Sequence, residues 1–568
     1  RDGGMDGNLQ FSTVQSNRIA GYTPSGRIGI RTGRWTLTAS GSGSFTPVAE
    51  SRFTETREQA GQPLPFAGRS DSKSRTNYGR GHFSAVFDPT PKHTAGFDIE
   101  YTERSTHMPT LSRTTLGQTQ SDSRYRQHMD GNTLTATANY IWKIDTLGSQ
   151  FKLIADYTRY TSDGDNSYHT TTCAPGTLRD SLYESATGSV YDILTADAGL
   201  TRKLPHGLTL RAGLRYTRND MADKSRYAAQ TQGTWLALPE YSYDQHYTEQ
   251  IGAAYASLEY SAGRWELSAG LRGEYTSVAS QAFGRSYFGL FPNVSVSRAL
   301  NALRTWLLVA QWSRNIERPA FPALNPARIR ISDYSWQSGN PSLRPTYIHR
   351  FSLTAVWKYR YTLTVGGNLH HDLIREIAHR DATAPDAVYI RPENHYTENH
   401  WFVAASVPAK ITRWWNLSVN AVGVMQRIRL NSTDSPATHY LMFADATCSF
   451  TLPAGFFAEA VYRAQSRLYS GNSEVGPRHT LSATVKKQLF GKRLTLFCTL
   501  SNITGCDWEF ASLTDGMRRT IDTGQAWSGR LWKVGAAWNF RTGKKFRART
   551  VESAAETQRK RLVKSTEQ

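Results

Sequence analysis

A chain of 568 residues with a net charge of +20 and a mean hydropathy of −0.52 is too polar for a bundle of membrane helices. No apolar run approaches the ~20 residues a spanning helix needs, Trp306-Leu307-Leu308-Val309-Ala310 being among the longest. The basic residues are spread along the whole chain without a nucleic-acid motif, so the charge does not point to a nucleic-acid partner.

Taken in order, the chain alternates tight turns with long polar stretches. A first candidate strand lies at Gly7–Ser16. Tight turns follow at Thr32-Gly33-Arg34, Asp88-Pro89-Thr90-Pro91, Pro205-His206-Gly207, Ala262-Gly263-Arg264, Tyr359-Arg360, Pro453-Ala454-Gly455 and Phe490-Gly491-Lys492. Between them the stretches Thr46–Arg75, Ser162–Val190 and Arg218–His246 read as long loops. A barrel crossing an outer membrane keeps its short turns periplasmic and its long loops extracellular.

The segments between turns alternate with period two, the mark of a strand with one wet and one apolar face. In Leu208–Thr217, Leu208, Leu210, Ala212 and Leu214 oppose Thr209, Arg211, Arg215 and Thr217. In Trp265–Tyr275, Trp265, Leu267, Ala269, Leu271 and Tyr275 oppose Glu266, Ser268, Arg272 and Glu274. Tyr361–His370 and Trp415–Met425 behave alike, and each segment is about ten residues, enough for a tilted crossing. Aromatic residues make up 12% of the chain and bracket the tight turns, Phe87, Tyr260 and Trp357 before them, Trp35, Trp265 and Phe456 after. That placement predicts an interfacial girdle, which a soluble β-sandwich does not need.

Candidate strands run to a last one at Leu531–Phe540 and number about 22, within the range of bacterial barrels. The fold class is therefore all-β, a transmembrane antiparallel up-and-down barrel over 1–540, with a basic periplasmic tail over 541–568. An even strand count places both termini in the periplasm. In the tail Arg541–Arg549 is basic and Glu552–Lys564 is helix-compatible with alternating charge; it reads as a solvated, mobile extension. A lumen of this size needs a plug.

Several motifs carry a family likeness. Gly339-Asn340-Pro341-Ser342-Leu343-Arg344-Pro345 resembles the GNPxLxP segment of TonB-dependent receptors. Trp312–Pro319 with Leu324-Asn325-Pro326, and Tyr287–Asn293, resemble the preceding strands of that family. Thr412-Arg413-Trp414-Trp415 and the ending Trp538-Asn539-Phe540 resemble its Bacteroidetes-type outer-membrane β-barrel branch. The resemblance spans nearly the whole chain. It implies a bacterial outer-membrane receptor importing an extracellular ligand, a siderophore, glycan, peptide or similar, with lipid and lipopolysaccharide around it. It also implies a TonB system acting through an N-terminal plug. Here Asp6–Phe11 already reads as the first strand, so the plug is expected upstream of Arg1, together with a signal peptide. The alternative is a passive channel or surface-interaction barrel without its own plug.

No P-loop, G-x-S-x-G, H-E-x-x-H or C-x-x-C occurs, so the chain is not read as an enzyme and no cofactor is implied. Histidines gather around His370, His371, His379, His395 and His400, but alternation puts His370 and His371 on opposite faces, so those two cannot share a metal within one strand, and no metal site is expected. Cys498 and Cys506 allow a local disulfide, but unpaired thiols are the expectation. Lumen-facing Arg211, Arg215, Arg272 and Glu274 are the candidates for contacting a polar or anionic solute. The competing reading is that they pair with one another or with a plug.

Overall fold

In the computed structural model the chain forms a closed antiparallel barrel of 22 wall strands. The structure describes residues 3–562, apart from 60, 282, 383, 385, 506, 545 and 547–549. The wall closes where Gly4–Gln15 pairs with Leu531–Gly543, Gly7 standing opposite Phe540 and Gln15 opposite Trp532. Closure leaves no sheet edge with unpaired amides and carbonyls facing lipid, the condition for a sheet to span a membrane. The first strand starts at Gly4 rather than Gly7, and the last ends at Gly543 rather than Phe540.

The short turns gather at one rim. Thr32 pairs with Trp35 and Ala262 with Trp265 around two-residue turns in which Gly33 and Gly263 take φ of 56° and 58°. A type II′ hairpin turn asks for positive φ at that first central position, and glycine adopts it without Cβ strain. Gly4 and Gly543, the two ends of the wall, pair at this same rim.

Outward side chains follow the alternation read from the sequence. Leu210, Leu214, Leu267, Leu271, Leu363 and Val365 are all exposed, while their neighbours Thr209, Thr217, Glu274 and Thr276 are buried on the inner face. Such a continuous apolar surface would aggregate in water; around a barrel it is the lipid-facing band. Rings beside the short turns pair across strands: Trp35 with Phe87 at 4.4 Å, Trp306 with Trp357 at 5.7 Å and Phe490 with Trp538 at 6.2 Å. A second belt, including Tyr22, Tyr101, Tyr216 and Tyr275, is exposed further along the strands. About ten tilted residues separate the belts, giving a band of roughly 25 Å.

Beyond that band the structure corrects the sequence reading. Thr46–Arg75, Ser162–Val190 and Arg218–His246 are not loops. They are the far halves of continuous hairpins: Trp35–Gln59 with Gln62–Thr90, Gln150–Ala174 with Thr177–Lys203, and Leu208–Thr231 with Tyr243–Ala262. Strands of up to 29 residues result, against 8 for Leu494–Ser501. The backbone of a long segment must satisfy its polar groups, and extending the ladder does so for every residue. Threonine and serine favour it further by bonding across strands: Ser70 to Ser112 at 2.9 Å, Ser72 with Thr110 at 2.8 Å and Ser123 with Thr170 at 2.9 Å.

The opposite mouth is bridged. Met517–Gly524 pairs with Arg52–Gln59, then Trp508–Thr514 with Met517–Gly524, and Ser473–Val475 with Phe510–Ser512. Asn472 ties this sheet to the hairpin Tyr361–Arg380/Val388–Lys410, bonding the Ala378 N–H at 3.0 Å and its carbonyl at 2.7 Å. Arg57 reaches the Asp386 carbonyl from across the mouth. Cys173, Cys448 and Cys498 are free thiols; Cys506, and with it the open question of a pairing, lies outside the described residues.

Candidate functional site in the lumen

The segment 318–345 folds inward from the mouth, beginning with Arg318. Its Nη2 donates to Glu274 Oε2 and to Thr276 Oγ1, both at 2.9 Å. One helical turn, Phe321–Leu324, then buries Phe321 and Leu324 among Tyr191, Ile193, Met221, Tyr247 and Val278. Burying a phenylalanine and a leucine contributes roughly 1.5–3 kcal/mol each, which holds the segment off the mouth and against the wall. Further on, Asp333 accepts from Ser123 at 2.6 Å, Tyr125 at 2.8 Å and Thr170 at 3.1 Å. Ser335–Gln337 runs parallel to Val388–Ile390, and Arg519 donates to both Ser335 Oγ at 3.1 Å and Glu55 Oε2 at 2.8 Å.

The GNPSLRP motif is the latch of this segment. A Cβ on Gly339 would stand 2.0 Å from the Asn325 carbonyl oxygen, so only glycine fits there. Asn340 donates from its backbone to the Ala323 carbonyl at 2.7 Å and from Nδ2 to the Pro392 carbonyl at 3.0 Å. Pro341 follows directly. Leu343 is fully buried in the Tyr191–Phe321 cluster, and Arg344 pairs with Asp372 at 2.6 Å. Pro345, which has no N–H to satisfy, precedes the wall strand Thr346–Trp357.

Two tyrosines at the far ends of their strands, clear of the apolar band, also hold the segment. Tyr243 donates to Asn325 Oδ1 at 2.6 Å, and Tyr227 donates to the Arg328 carbonyl. Burial pushes the Tyr227 hydroxyl up to about 12, so it remains a protonated donor at any physiological pH.

The tail departs from its expected solvated state. Residues 551–562 run inside the barrel from the short-turn rim upward. Lys152 Nζ pairs with Glu552 at 2.7 Å near that rim, and the Ala554 N–H donates to Asp156 Oδ2 at 2.7 Å. A single helical turn, Glu556–Arg559, brings Gln558 to Asn219 at 3.3 Å. Arg561 ends deep in the lumen with Nη1 2.5 Å from Glu249 Oε2, Nε 2.9 Å from the Pro319 carbonyl, and its guanidinium 4.2 Å from the Phe321 ring centroid. Glu249 and Arg561 are 2% and 6% exposed. Charges that dry persist only when paired and hydrogen-bonded, which Asn219 and Arg318 complete.

The four lumen-facing candidates do lie on the inner face, where parity put them. All are occupied by neighbours. Arg211 pairs with Glu259 at 3.0 Å, Arg215 with Asp197 at 2.8 Å, and Arg272 with Glu274 at 3.3 Å. Glu274 is shared with Arg318. Among the histidines, His370 Nδ1 meets the Glu398 carbonyl at 2.8 Å and His400 Nε2 meets Glu398 Oε1 at 2.8 Å.

Opposite the tail the wall is bare. In the strands Trp415–Arg429, Ala437–Leu452, Phe456–Gln465, Arg478–Leu489 and Leu494–Ser501, only Gln426 and Ile428 are buried. Near the mouth these strands, with Asn502, Trp508 and Trp527 beyond them, enclose a cleft of about 400 Å³ also lined by Asn420, Asp445, Arg463 and Arg478. The sequence reading passed over both arginines. Strand parity places Arg463 inward beside exposed Tyr462, but nothing in it tells a covered wall from a bare one.

A profile of the outer membrane protein β-barrel family matches residues 142–535. No curated protein matches the chain. Among solved structures, the ferric enterobactin receptor PfeA of Pseudomonas aeruginosa, in a mutant form, is similar at TM-score 0.59 and 14% identity, over 94% of this chain and 80% of that one. The siderophore receptor PirA of the same organism gives 0.56 and 12%, over 95% and 80%. The copper transporter OprC gives 0.59 and 12%, over 95% and 81%. At these identities the likeness is one of fold.

Proposed function

The chain belongs to the outer membrane protein β-barrel family, and from that premise we propose that it is the barrel of a TonB-dependent importer of an extracellular ligand. One observation carries the reading: the lumen is partitioned. A passive pore gains nothing from bridging its mouth and packing one side of its interior. A gated importer needs both, because an unobstructed lumen in a barrel of about 22 strands would leak solutes. The likeness to the siderophore receptors and the copper transporter, and the GNPSLRP latch, support the same reading.

In this proposal the short-turn rim, where the first wall strand begins and the last one ends, faces the periplasm, and the tall hairpins face outward. Residues 1–540 are assigned to the barrel and 541–568 to a periplasmic tail, of which the described stretch 551–562 docks into the lumen. Lipid and lipopolysaccharide surround the apolar band. TonB acts through a plug on the N-terminal side, as in the Bacteroidetes-type receptors the sequence resembles. The role is binding and transport, not catalysis.

Reconstitution with the native N-terminal sequence tests this. Liposomes carrying the protein are expected not to swell in small sugars, and cells are expected to lose ligand-dependent uptake when TonB is deleted. Swelling at a porin-like rate, with uptake indifferent to TonB, would replace the importer by a passive channel.

A further inference from the structure

Arg463 and Arg478 differ from the other lumen arginines described so far. Neither guanidinium makes an ion pair or hydrogen bond among the described residues, whereas Arg211, Arg215, Arg272, Arg318 and Arg561 each have a carboxylate. They are neighbours on one face: Arg463 stands opposite Thr480 and Arg478 opposite Gln465. That diagonal relation brings side chains within about 7–8 Å. Two like charges so placed repel unless something negative lies between them. Asp445 sits across from Arg463 in the ladder, but it accepts from Asn420 Nδ2 at 2.9 Å and lies beyond ion-pair distance of both arginines.

Flat faces complete the cleft. The Arg478 guanidinium lies 4.0 Å over the ring of Trp508, which holds it in place and leaves its N–H edges free. Trp527 and Phe443, both lining the cleft, are 53% and 37% exposed, although each is large enough to bury on its own account. An aromatic surface left wet beside two unpaired guanidiniums is a binding surface with its complement missing.

We propose that Arg463 and Arg478, flanked by Trp508 and Trp527, form the first binding subsite for a small anionic ligand that carries a flat ring. The guanidiniums take the charge, bidentate where the anion is a carboxylate, and the indoles take the ring face. Asp445 and Asn420 set the polar edge and turn away a ligand that places a second negative charge there. The subsite rests on the importer reading only for the direction in which the ligand then travels; binding itself requires no transport.

The test uses the full protein in detergent, with trimellitate, an aromatic tricarboxylate, as probe, followed by tryptophan fluorescence and calorimetry. Trimellitate is expected to bind with an affinity that falls as salt rises. Cyclohexane-1,2,4-tricarboxylate, equal in charge but not flat, and the neutral trimethyl ester of trimellitate are both expected to bind more weakly. R463Q and R478Q are each expected to weaken trimellitate about tenfold or more, the loss of a charge-assisted contact, and W508L to weaken trimellitate by a larger factor than the cyclohexane analogue, which loses only the positioning of Arg478. K533Q, which removes a charge elsewhere, is expected to leave binding unchanged. Heat-modifiable migration on gels checks that each variant is folded. Equal affinity in the R463Q/R478Q double variant, equal loss in K533Q, or no binding of trimellitate overturns the proposal. Because no energy source or TonB is present, failure here leaves the importer reading standing, and failure of uptake leaves the subsite standing.

Discussion

The two sides of the lumen are built from the same alternating strands and put their inward side chains to opposite use. On the side of Gln150–Ala174, Leu208–Thr231 and Tyr243–Ala262, every inward charge named above has a partner, and the tail and the segment 318–345 lie over the wall. On the side of Ala437–Leu452 to Leu494–Ser501 the inner face is wet and two arginines are unpaired. The difference teaches that a lumen-facing charge is not by itself a ligand contact. What distinguishes structural charge from available charge is whether another segment of the same chain has already met it.

The largest effect expected from breaking this asymmetry comes from removing the tail. Truncation after Thr550 should raise single-channel conductance several-fold in planar bilayers, since it clears one side of the lumen; an unchanged conductance would mean that the tail does not obstruct the path. The substitution R561M keeps the tail but strands Glu249 in a dry site. Removing one partner of a buried pair costs about 3–5 kcal/mol, the lower end applying here because Arg318 and Asn219 remain. Thermal unfolding in detergent should show R561M less stable than the truncation, which lets water reach Glu249. L343A, at a fully buried position, should cost about 2–4 kcal/mol and loosen the inward segment without touching the bare wall. Hydrogen exchange would then rise at Tyr191 and Phe321 but not at Thr484, and a uniform rise would blur the contrast drawn here. The smallest effect belongs to R211Q. Its pair with Glu259 is half exposed, so the stability change should stay within about 1 kcal/mol, and trimellitate binding should not move.

Much of the barrel was legible from residue order alone. Turn glycines such as Gly33 and Gly263 mark the short rim, and Leu267, Leu271 and Tyr275 against Arg272 and Glu274 mark which face meets lipid. The alternation fades above the apolar band because both faces of a strand there are wet. Ser70, Ser72, Thr110 and Ser112 therefore look like a solvated loop although they form a ladder. Parity could place Arg211 and Arg215 inward but not name Glu259 and Asp197, which come from neighbouring strands. The tail was misread for a stronger reason. Glu552, Gln558 and Arg561 read as a charged surface helix, and their anchors, Lys152, Asn219 and Glu249, stand hundreds of residues away.

The docked tail also has a bearing on assembly. Arg561 can find Glu249 only once a lumen exists, and that lumen is complete only when Leu531–Gly543 has zipped to Gly4–Gln15, joining the last strand of the chain to the first. The tail enters by the rim at which that closing strand ends, so it seats without being threaded through a finished ring. Its seating is then expected to follow closure, and protection of Glu249 from modification would serve as a timestamp for barrels that have closed.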